Sequence, residues 1–532
     1  MKLFSAGSIL FYLMYFTFPQ SAGGQTILIQ GEISGVLVAD TVRVTGNVHV
    51  PAGQTLTFLP GTEVITSGFF GFNISGTVLA LGNSTEAIRF SVSDTSGFYN
   101  QADGRGGWNG FHFINTDHAA DSSKFFHCTF EFGKAFGDSL DKMGGIFNIR
   151  DYSKIMISDC EFNHNSAVFW GGAIFAENSN LIIRNTVFSG NFCGTPGPPY
   201  GYGGAVCLRY SKADILGCKF FENSSTGIGG AVSFEYSDVL LQTGIFLDNF
   251  SALGGALGYL RSTPLRPVAG NLFTGNSSLF FGGAVSCNKA NPRFINNTIA
   301  GNSSVSYGGG FYCNDSAVPL LINTIIYDNY APEGQQVYIW DVNSAPEFYH
   351  CNVQGGSALF GGTGGVGFSA PYINNLDTIP EFHDTQPHPY SISDISPCIN
   401  SGDPDTTGLF VSATDLAGNK RLVGKAIDIG AYENQSGING IRKTESGFSI
   451  VCYPNPFREQ VTFILPHFSH ETCSIRITDL QGLVVFSSSG ISRSSFTWKC
   501  RSNQSSILKS GTYICTVTIG LRQSTSTITC IR

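Results

Sequence analysis

The sequence predicts an all-β protein, in which a parallel β-helix is followed by a small C-terminal β-sandwich. The main observation is a pair of glycines that recurs, with an asparagine ahead of it, at a common period. The residues after each pair alternate in polarity with the period of a strand rather than that of a helix. No stretch combines helical spacing with helix caps, so the sequence excludes helical repeats.

The glycine pairs are spaced 25 to 32 residues apart, and a fixed period of this size indicates a repeat architecture. The longest interval contains the insertion CGTPGPPYGYG, which predicts a loop that leaves one coil. Short strands separated by turns describe a parallel β-helix, in which each coil lies about 4.8 Å above the last. The pairs are Gly144-Gly145, Gly171-Gly172, Gly203-Gly204, Gly229-Gly230, Gly254-Gly255, Gly282-Gly283 and Gly308-Gly309.

A column of asparagines keeps the same period. Because like positions of successive coils stack, we expect their amides to hydrogen-bond to one another, as amide ladders do in cross-β structures. The glycine pair is expected at a tight corner, which glycine adopts without steric cost. The ladder residues are Asn165, Asn191, Asn223, Asn249, Asn276, Asn302 and Asn329.

The chain is long enough for an elongated repeat array with further segments at its ends. Residues 1–22 have a basic start, the apolar run Ile9–Phe18 and a small-residue exit. They predict a secretory signal peptide, too short to span a bilayer, and no transmembrane span is expected in the mature protein. Residues 25–120 are expected to form the N-terminal coils, and residues 121–375 the coils with the asparagine and glycine marks.

The opening segment VRVTGNVHVPAGQTLTFLPGTEVITSG alternates apolar and polar residues between glycine-containing turns. It resembles the first coils of pectate-lyase-like right-handed β-helix proteins. The asparagine and glycine-pair coils resemble those of polymorphic outer-membrane-type surface proteins. The resemblance implies a right-handed parallel β-helix and says little about activity, because one fold hosts many functions.

Residues 376–434 are expected to form closing coils and a cap over the last coil. The runs SPCINSGD, DLAGNKR and DIGAYE resemble the closing segment of exported β-helix proteins of the choice-of-anchor Q type. The carboxylates in this segment are Asp403, Asp405, Asp415, Asp428 and Glu433. Calcium near the first three is one interpretation, since calcium takes several oxygen ligands. We favour the other, a cap held by ion pairs with Lys420 and Arg421.

A linker at 435–447 leads to residues 448–532, where short alternating strands between turns predict a small immunoglobulin-like antiparallel sandwich. This tail resembles the C-terminal sorting domain of type IX secretion cargo through YPNPF at 453–457, DLQG at 479–482 and SGTY at 510–513. The resemblance implies recognition by an outer-membrane secretion machine. It also implies a secreted or outer-membrane surface-attached protein of a Gram-negative bacterium. Five cysteines and an ending in CIR depart from the family's pattern.

Charged residues of alternating sign stand six positions after the first glycine of four successive coils: Arg150, Glu177, Arg209 and Glu235. Two coils would place Glu177 and Glu235 about 9.6 Å apart, at the upper limit for the carboxyl pair of an inverting glycosidase. The arginine between them would keep both ionised, whereas a general acid needs a raised pKa. We therefore expect surface ion pairing and no catalytic residue, with lyase or glycosidase chemistry at the two glutamates as the alternative.

The residue before the glycine pair is often aromatic, as at Trp170, Tyr202, Phe281 and Tyr307. If this corner faces outward, the aromatic side chains would stack on sugar rings along a polysaccharide. If it faces inward, they form a core ladder, which the isoleucine, leucine and methionine at the same position in other coils favour. The sequence leaves the direction open.

Fourteen cysteines in an exported chain predict that some are oxidised. Cys287 and Cys313 occupy the same position in neighbouring coils, where their Cα atoms would lie about 5 Å apart, within the range of a disulfide. A bond and two buried thiols are both compatible with that spacing. No histidine stands where it would complete a metal site with the cysteines, so neither a metal nor a cofactor is expected.

A net charge of −8 without a basic cluster argues against nucleic acid as a partner. The expected partners are the secretion machinery, through the tail, and polysaccharides or other cell-surface ligands. We expect a structural or adhesive role rather than catalysis. The competing class is a carbohydrate-active enzyme on a β-helix scaffold, which the release of new reducing or unsaturated sugar ends would reveal.

Overall fold

A computed structural model describes residues 24–436, apart from 115, 117–120, 139–140, 153, 199 and 384–386. It also describes residues 451–531, apart from 465–472, 481–482, 492–494, 503–507 and 520–521. The predicted signal peptide and nearly all of the predicted linker lie outside the described residues. Within them the fold is nearly all-β, and Ser357–Leu359 forms a single 3-10 turn. The predicted fold class is confirmed.

The chain divides into two compact units, with the boundary between Lys212 and Ala213. In both, a coil contains up to four short strands. The first follows the glycine pair, the third ends just before the ladder asparagine, and the fourth follows it. Strands of the same kind in successive coils pair in parallel, so that Ile174 lies opposite Val206 and Val285 opposite Phe311.

The first unit opens with the strands Thr26–Glu32 and Thr41–Val50, and the latter pairs with both a third and a first strand. The first strands are Phe72–Ile74, Phe111–Phe113, Phe147–Arg150, Ile174–Glu177 and Val206–Arg209. The second strands are Gly35–Leu37, Thr55–Phe58, Thr77–Leu81, Ser123–Phe126, Ile155–Ser158 and Asn180–Arg184. The third strands are Glu63–Thr66, Ile88–Val92, Cys128–Glu131, Glu161–Asn163 and Val187–Ser189. The fourth strands are Lys134–Ala135, Ser166–Ala167 and Phe192–Cys193.

The strand Lys212–Leu216 lies at the boundary, and the second unit continues the same order. Its first strands are Val232–Glu235, Leu257–Leu260, Val285–Asn288, Phe311–Asn314 and Val337–Ile339. Its further second strands are Asp238–Gln242, Val268–Ala269, Arg293–Ile295, Leu320–Ile322, Glu347–Tyr349 and Tyr372–Ile373. Its third strands are Lys219–Phe221, Ile245–Leu247, Leu272–Thr274, Thr298–Ala300, Ile325–Tyr327 and Asn352–Val353. Its fourth strands are Ser224–Ser225, Phe250–Leu253, Ser277–Phe281 and Ser303–Ser304, and a hairpin of Phe382–His383 with Ser391–Ile392 follows the coils.

The core of the coils is a narrow column of stacked apolar side chains. The middle residue of the third strand is often phenylalanine. In the second unit the rings of Phe220, Phe246 and Phe273 stack with centroids 4.7 Å apart. That distance matches the spacing of parallel strands, so rings at the same position of successive coils stack directly on one another.

The corners depend on left-handed backbone conformations. Asn178, Asn185 and Glu222 represent three corners, and each has a positive φ near 50°. The glycine pair forms the fourth corner. A Cβ on its second glycine would collide with the next coil, as at Gly230, where the Cβ would lie 2.1 Å from the carbonyl oxygen of Gly255. The coils therefore approach so closely here that only glycine fits.

Residues 400–434 run back along the side of the second unit's coils, against the corner between the second and third strands. Asn296 donates from Nδ2 to the carbonyl of Asp428 at 2.9 Å, and Gly430 N donates to the carbonyl of Asn323 at 2.8 Å. Leu409 packs in an apolar cluster beside the same corner. We expected a cap over the last coil, but the left-handed asparagines of these corners offer polar groups that hold the segment at the side instead.

The C-terminal part forms a small sandwich, as predicted. The strands Val451–Tyr453, Val461–Ile464 and Ser495–Trp498 form one antiparallel sheet. The strands Cys473–Thr478, Val484–Ile491, Gly511–Ile519 and Arg522–Cys530 form the other. Residues of both sheets share one buried core.

Candidate functional site

The asparagine column is a buried hydrogen-bonded ladder. In the second unit, Nδ2 of Asn223 donates to Oδ1 of Asn249 at 3.0 Å, and Nδ2 of Asn249 donates to Oδ1 of Asn276 at 2.9 Å. The row continues through Asn302 and Asn329 at 2.9 Å per step. In the first unit, Asn165 donates to Asn191 at 2.9 Å. Amides used in this way serve structure and are not accessible to a ligand.

A second ladder was not predicted. It lies at the corner between the second and third strands, five residues before the first ladder. Asn271 donates from Nδ2 to Oδ1 of Asn297 at 3.0 Å, and Oδ1 of Asn271 accepts from Gly244 N at 2.7 Å. The same column contains Cys218 and Thr324 in other coils, so its mixed composition concealed the repeat.

The two glutamates considered for catalysis are ion-paired. Glu177 accepts from Arg150 at 3.0 Å and from Arg209 at 3.3 Å, all within the first unit. Glu235, in the second unit, lies 3.8 Å from Arg261. Burial lowers the pKa of Arg150, and Glu177 opposes that effect. Glu177 thus accepts from two guanidinium groups and links the first strands of neighbouring coils.

The corner aromatic residues lie on the outside of the first strands. The residue four positions after the first glycine points away from the core yet is buried, because the corner side chain packs over it. The ring of Trp170 lies 5.4 Å from that of Phe175, and Phe281 lies 4.6 Å from Tyr312. Since Trp170, Tyr202, Phe281 and Tyr307 are all partly exposed, the core-ladder interpretation is wrong for them.

The second unit gathers five aromatic rings on this outer face, which we call the aromatic platform. Its members are Phe281, Tyr307, Tyr312, Tyr338 and Trp340. Trp340 is 47% exposed, and its ring lies 5.9 Å from Phe281 and 6.2 Å from Tyr307. Tyr307 and Tyr338 are 4.6 Å apart. Packing against one another fixes these rings in place, so the platform presents an ordered aromatic surface.

The matching face of the first unit is aromatic and cationic. The guanidinium of Arg209 lies 4.9 Å from the centre of the Trp170 ring, and that of Arg150 lies 5.1 Å from Phe175. Each is a cation–π contact that holds the guanidinium group over the ring. These arginines are also the partners of Glu177, so the charged row and the aromatic corner form one cluster.

An open cleft of about 700 Å³ lies beside the loop of residues 93–107 in the first unit. Phe69, Phe136, Asp94 and Arg105 are among the residues that line it. The loop is held by Lys134, which is fully buried and donates from Nζ to the carbonyls of Asn100 at 2.7 Å, Arg105 at 3.0 Å and Gly97 at 3.4 Å. Burial lowers the pKa of Lys134, and Asp103 opposes that effect.

The carboxylates considered for calcium act as acceptors for backbone groups. Asp403 Oδ1 accepts from Asp405 N at 3.0 Å, and Asp415 Oδ1 accepts from Asn419 N at 2.7 Å. Among the described residues, no group of three or more acidic, histidine or cysteine side chains is arranged to hold a metal. Calcium at this place stays an interpretation of the sequence alone.

The buried charges of the closing segment surround Arg421. Glu433 accepts from Val423 N at 2.9 Å and from Asp428 N at 3.0 Å. Burial raises the pKa of Glu433 to about 8, with Asp428 adding to the effect and Arg421 opposing it. Burial likewise raises the pKa of Asp428 to about 6. These groups fix the fold of the segment, and each carboxylate is enclosed.

Cys287 and Cys313 lie opposite each other as parallel strand partners, fully buried. Both are free thiols in this structure. Burial raises the pKa of both thiols. The disulfide between them stays a prediction.

A family model for the secretion system C-terminal sorting domain matches residues 451–530. This confirms the prediction for the tail, and it indicates interaction with the secretion system, secretion and cell-surface attachment in Bacteroidetes. The matched residues are the two antiparallel sheets described above. Within the described residues, we found no helix of sufficient length and apolarity to cross a membrane.

Two further comparisons reach only part of the chain. A stretch of 116 residues is 29% identical to the metabotropic glutamate receptor-like protein R of Dictyostelium discoideum, and covers 21% of this chain and 7% of that protein. The solved structure of PorZ, described as an essential bacterial surface component of the type-IX secretion system of Porphyromonas gingivalis, is 22% identical. That match covers 18% of this chain and 13% of PorZ at a TM-score of 0.14.

Proposed function

We propose that this protein has a structural or adhesive role at the cell surface and binds glycans through the outer face of its coils. The observation that carries the proposal is the aromatic platform. Flat aromatic side chains offer apolar surface to the C–H faces of sugar rings, and Trp340 is exposed enough to receive one. The sorting domain supports the proposal because it directs the coils to the cell surface, where glycans are present.

The charges around the platform favour a neutral polysaccharide. Burial raises the pKa of Tyr338, with Glu333 adding to the effect, and burial raises the pKa of Tyr312, with a small contribution from Asp341, so both carboxylates lie near the platform rings. An anionic uronate chain would be repelled by them. We therefore expect neutral glucans or mannans to bind and polygalacturonate not to.

Affinity electrophoresis of the full chain in gels that contain these polysaccharides tests the proposal. Trp340→Ala and Tyr307→Ala should each weaken retention by a neutral glycan about tenfold, equivalent to about 1.4 kcal/mol. Tyr330→Ala is the matched control, because Tyr330 is an exposed tyrosine in the column of fourth strands, outside the platform. Equal retention of Trp340→Ala and the unaltered chain, or retention by polygalacturonate alone, would refute the proposed site.

The carbohydrate-active enzyme is the other candidate from the sequence. The two ion pairs of Glu177 support a structural role for it instead. Incubating the full chain with the same polysaccharides and measuring new reducing or unsaturated ends separates the two functions. Turnover that is lost in Glu177→Gln would replace the adhesive proposal by catalysis, whereas retention in the gel without turnover supports adhesion.

A further inference from the structure

We propose that Cys500 and Cys530 form a disulfide in the exported protein, which ties the last strand of the sorting domain to the opposite sheet. Their Sγ atoms are 3.0 Å apart, and both side chains are fully buried in the core of the sandwich. A disulfide brings the two sulfurs to about 2.05 Å, so a shift of about 1 Å closes the bond. Nothing in the sequence alone pointed to this pair.

The disulfide would join the two sheets of the sandwich, because the two cysteines lie beside strands of different sheets. Cys500 follows the strand Ser495–Trp498 of the three-stranded sheet, and Cys530 ends the strand Arg522–Cys530 of the four-stranded sheet. Phe457 already holds the end of the chain, since its N–H donates to Thr529 at 2.9 Å and its carbonyl accepts from Ile531 N at 2.7 Å. A covalent bond at this point would fix the terminal strand from both sheets.

The other three cysteines of the sandwich are in different surroundings. Cys452 Sγ lies 3.5 Å from the hydroxyl of Ser526. Cys473 and Cys515 are buried, and burial raises the pKa of both thiols. They therefore provide internal controls for the assignment of the bond.

The reaction needs an external oxidant, and the periplasm supplies disulfide donors to exported chains. The thiolate of one cysteine attacks a donor disulfide of a thiol oxidoreductase and releases one donor thiol. The second cysteine then attacks the mixed disulfide and releases the other. The two cysteines lose two protons and two electrons, the S–S bond forms, and the donor disulfide is reduced to two thiols.

The test is peptide mapping of the full chain recovered from the periplasm. The protein is denatured in acid, its free thiols are alkylated and it is digested without reductant. We expect a linked pair of peptides that contain Cys500 and Cys530, lighter than the two reduced peptides by two hydrogen atoms. In Cys500→Ser, Cys530 should become fully alkylated, whereas Cys473→Ser should leave the linked pair in place.

A second readout covers the case in which a variant fails to export. The full chain is then refolded with oxidised glutathione, and the urea midpoint of the sandwich is followed by hydrogen exchange of peptides from residues 451–530 before and after reduction. Reduction should lower the midpoint of the unaltered chain and leave that of Cys500→Ser unchanged. Recovery of both cysteines alkylated in the unaltered chain, or a link from either of them to another cysteine, would overturn the proposal.

Discussion

Replacing Gly230 by alanine should unfold the coils of the second unit at a markedly lower urea concentration. A Cβ at Gly230 would lie 2.1 Å from the carbonyl oxygen of Gly255 in the next coil and 2.6 Å from that of Phe250. Real Cβ contacts essentially never fall below 3.0 Å, so the two coils must separate by 0.9 Å here, the difference between 3.0 and 2.1 Å. The nearest atoms, in Gly255 and Phe250, are all backbone atoms of the next coil, so no flexible side chain can move away.

The loss of stability comes from the hydrogen bonds between coils that this separation would break. Gly229 N donates to Leu253 O at 2.9 Å, and Gly230 N donates to Gly254 O at 3.1 Å. Each hydrogen bond contributes about 1 kcal/mol net, and overpacking adds about 1–3 kcal/mol. We expect a loss of about 3 kcal/mol or more. With a denaturant slope of about 3 kcal/mol per molar urea, the midpoint should fall by about 1 M.

The assay is urea denaturation of the full chain, followed by far-ultraviolet circular dichroism. Gly197→Ala is the matched control, because a Cβ at Gly197 meets no atom within 4 Å. Its midpoint should stay within about 0.5 kcal/mol of that of the unaltered chain. If Gly230→Ala unfolds at the same urea concentration as Gly197→Ala, the close approach of the coils at this corner is refuted.

Three further changes probe the ladder, the loop and the closing segment. Asn249→Leu removes the buried oxygen that accepts from Nδ2 of Asn223, and should cost about 2–4 kcal/mol in urea denaturation. Lys134→Met removes the ammonium that holds three loop carbonyls, so backbone amides of residues 93–107 should exchange hydrogen about tenfold faster or more. Glu433 has a pKa raised to about 8, so its protonated form favours the native state. The contribution of Glu433 to the free energy of unfolding should be fully present below about pH 4.5 and be lost as the pH rises towards 8, and Glu433→Gln should remove this contribution.

Each of these changes has a control of the same chemistry at an exposed position. Asn180→Leu, Lys219→Met and Glu222→Gln alter exposed side chains and should leave the three measurements unchanged. If the ladder contributed nothing to stability, Asn249→Leu and Asn180→Leu would unfold at the same urea concentration. Unchanged exchange in Lys134→Met would show that the loop is held by other contacts. A pH dependence that persists in Glu433→Gln would assign it to another group.

The coils could be predicted because the information for them is nearly local. A ladder such as Asn223 to Asn249 joins residues one period apart, and both members are the same amino acid. The glycine pairs were equally visible, since Gly230 meets Gly255 at the same interval. In a repeat, the contacts between neighbouring coils can therefore be inferred from the spacing of like residues in the sequence.

The outer face of the coils could not be predicted in this way. The residues four positions after the first glycine range from Asn148 to Ser233 and Tyr312, and their polarity gives no sign that all are buried. They are buried because corner side chains such as Phe281 fold over them. Whether a side chain at a corner points inward or outward depends on backbone geometry, which composition does not record.

Contacts between distant segments were also beyond prediction. Lys134 is a single lysine in the fourth-strand column, and its acceptors lie about thirty residues earlier in a loop without a repeat. Residues 400–434 lie against Asn296 and Asn323 through backbone carbonyls, which every residue carries. Contacts of this kind leave no pattern in the sequence.

The last rung of the asparagine row is closed by hydrogen bonds within its own chain. Asn329 donates to Oε1 of Gln336 at 2.7 Å, and Gln336 donates to Oε1 of Gln354 at 2.9 Å. The same oxygen of Gln354 also accepts from Asp328 N at 2.8 Å. Fibres of parallel strands grow where an unoccupied edge accepts another chain. Here the amides of Asn329 and Gln336 are paired within their own polypeptide, so the row itself offers another chain no unpaired amide to add to.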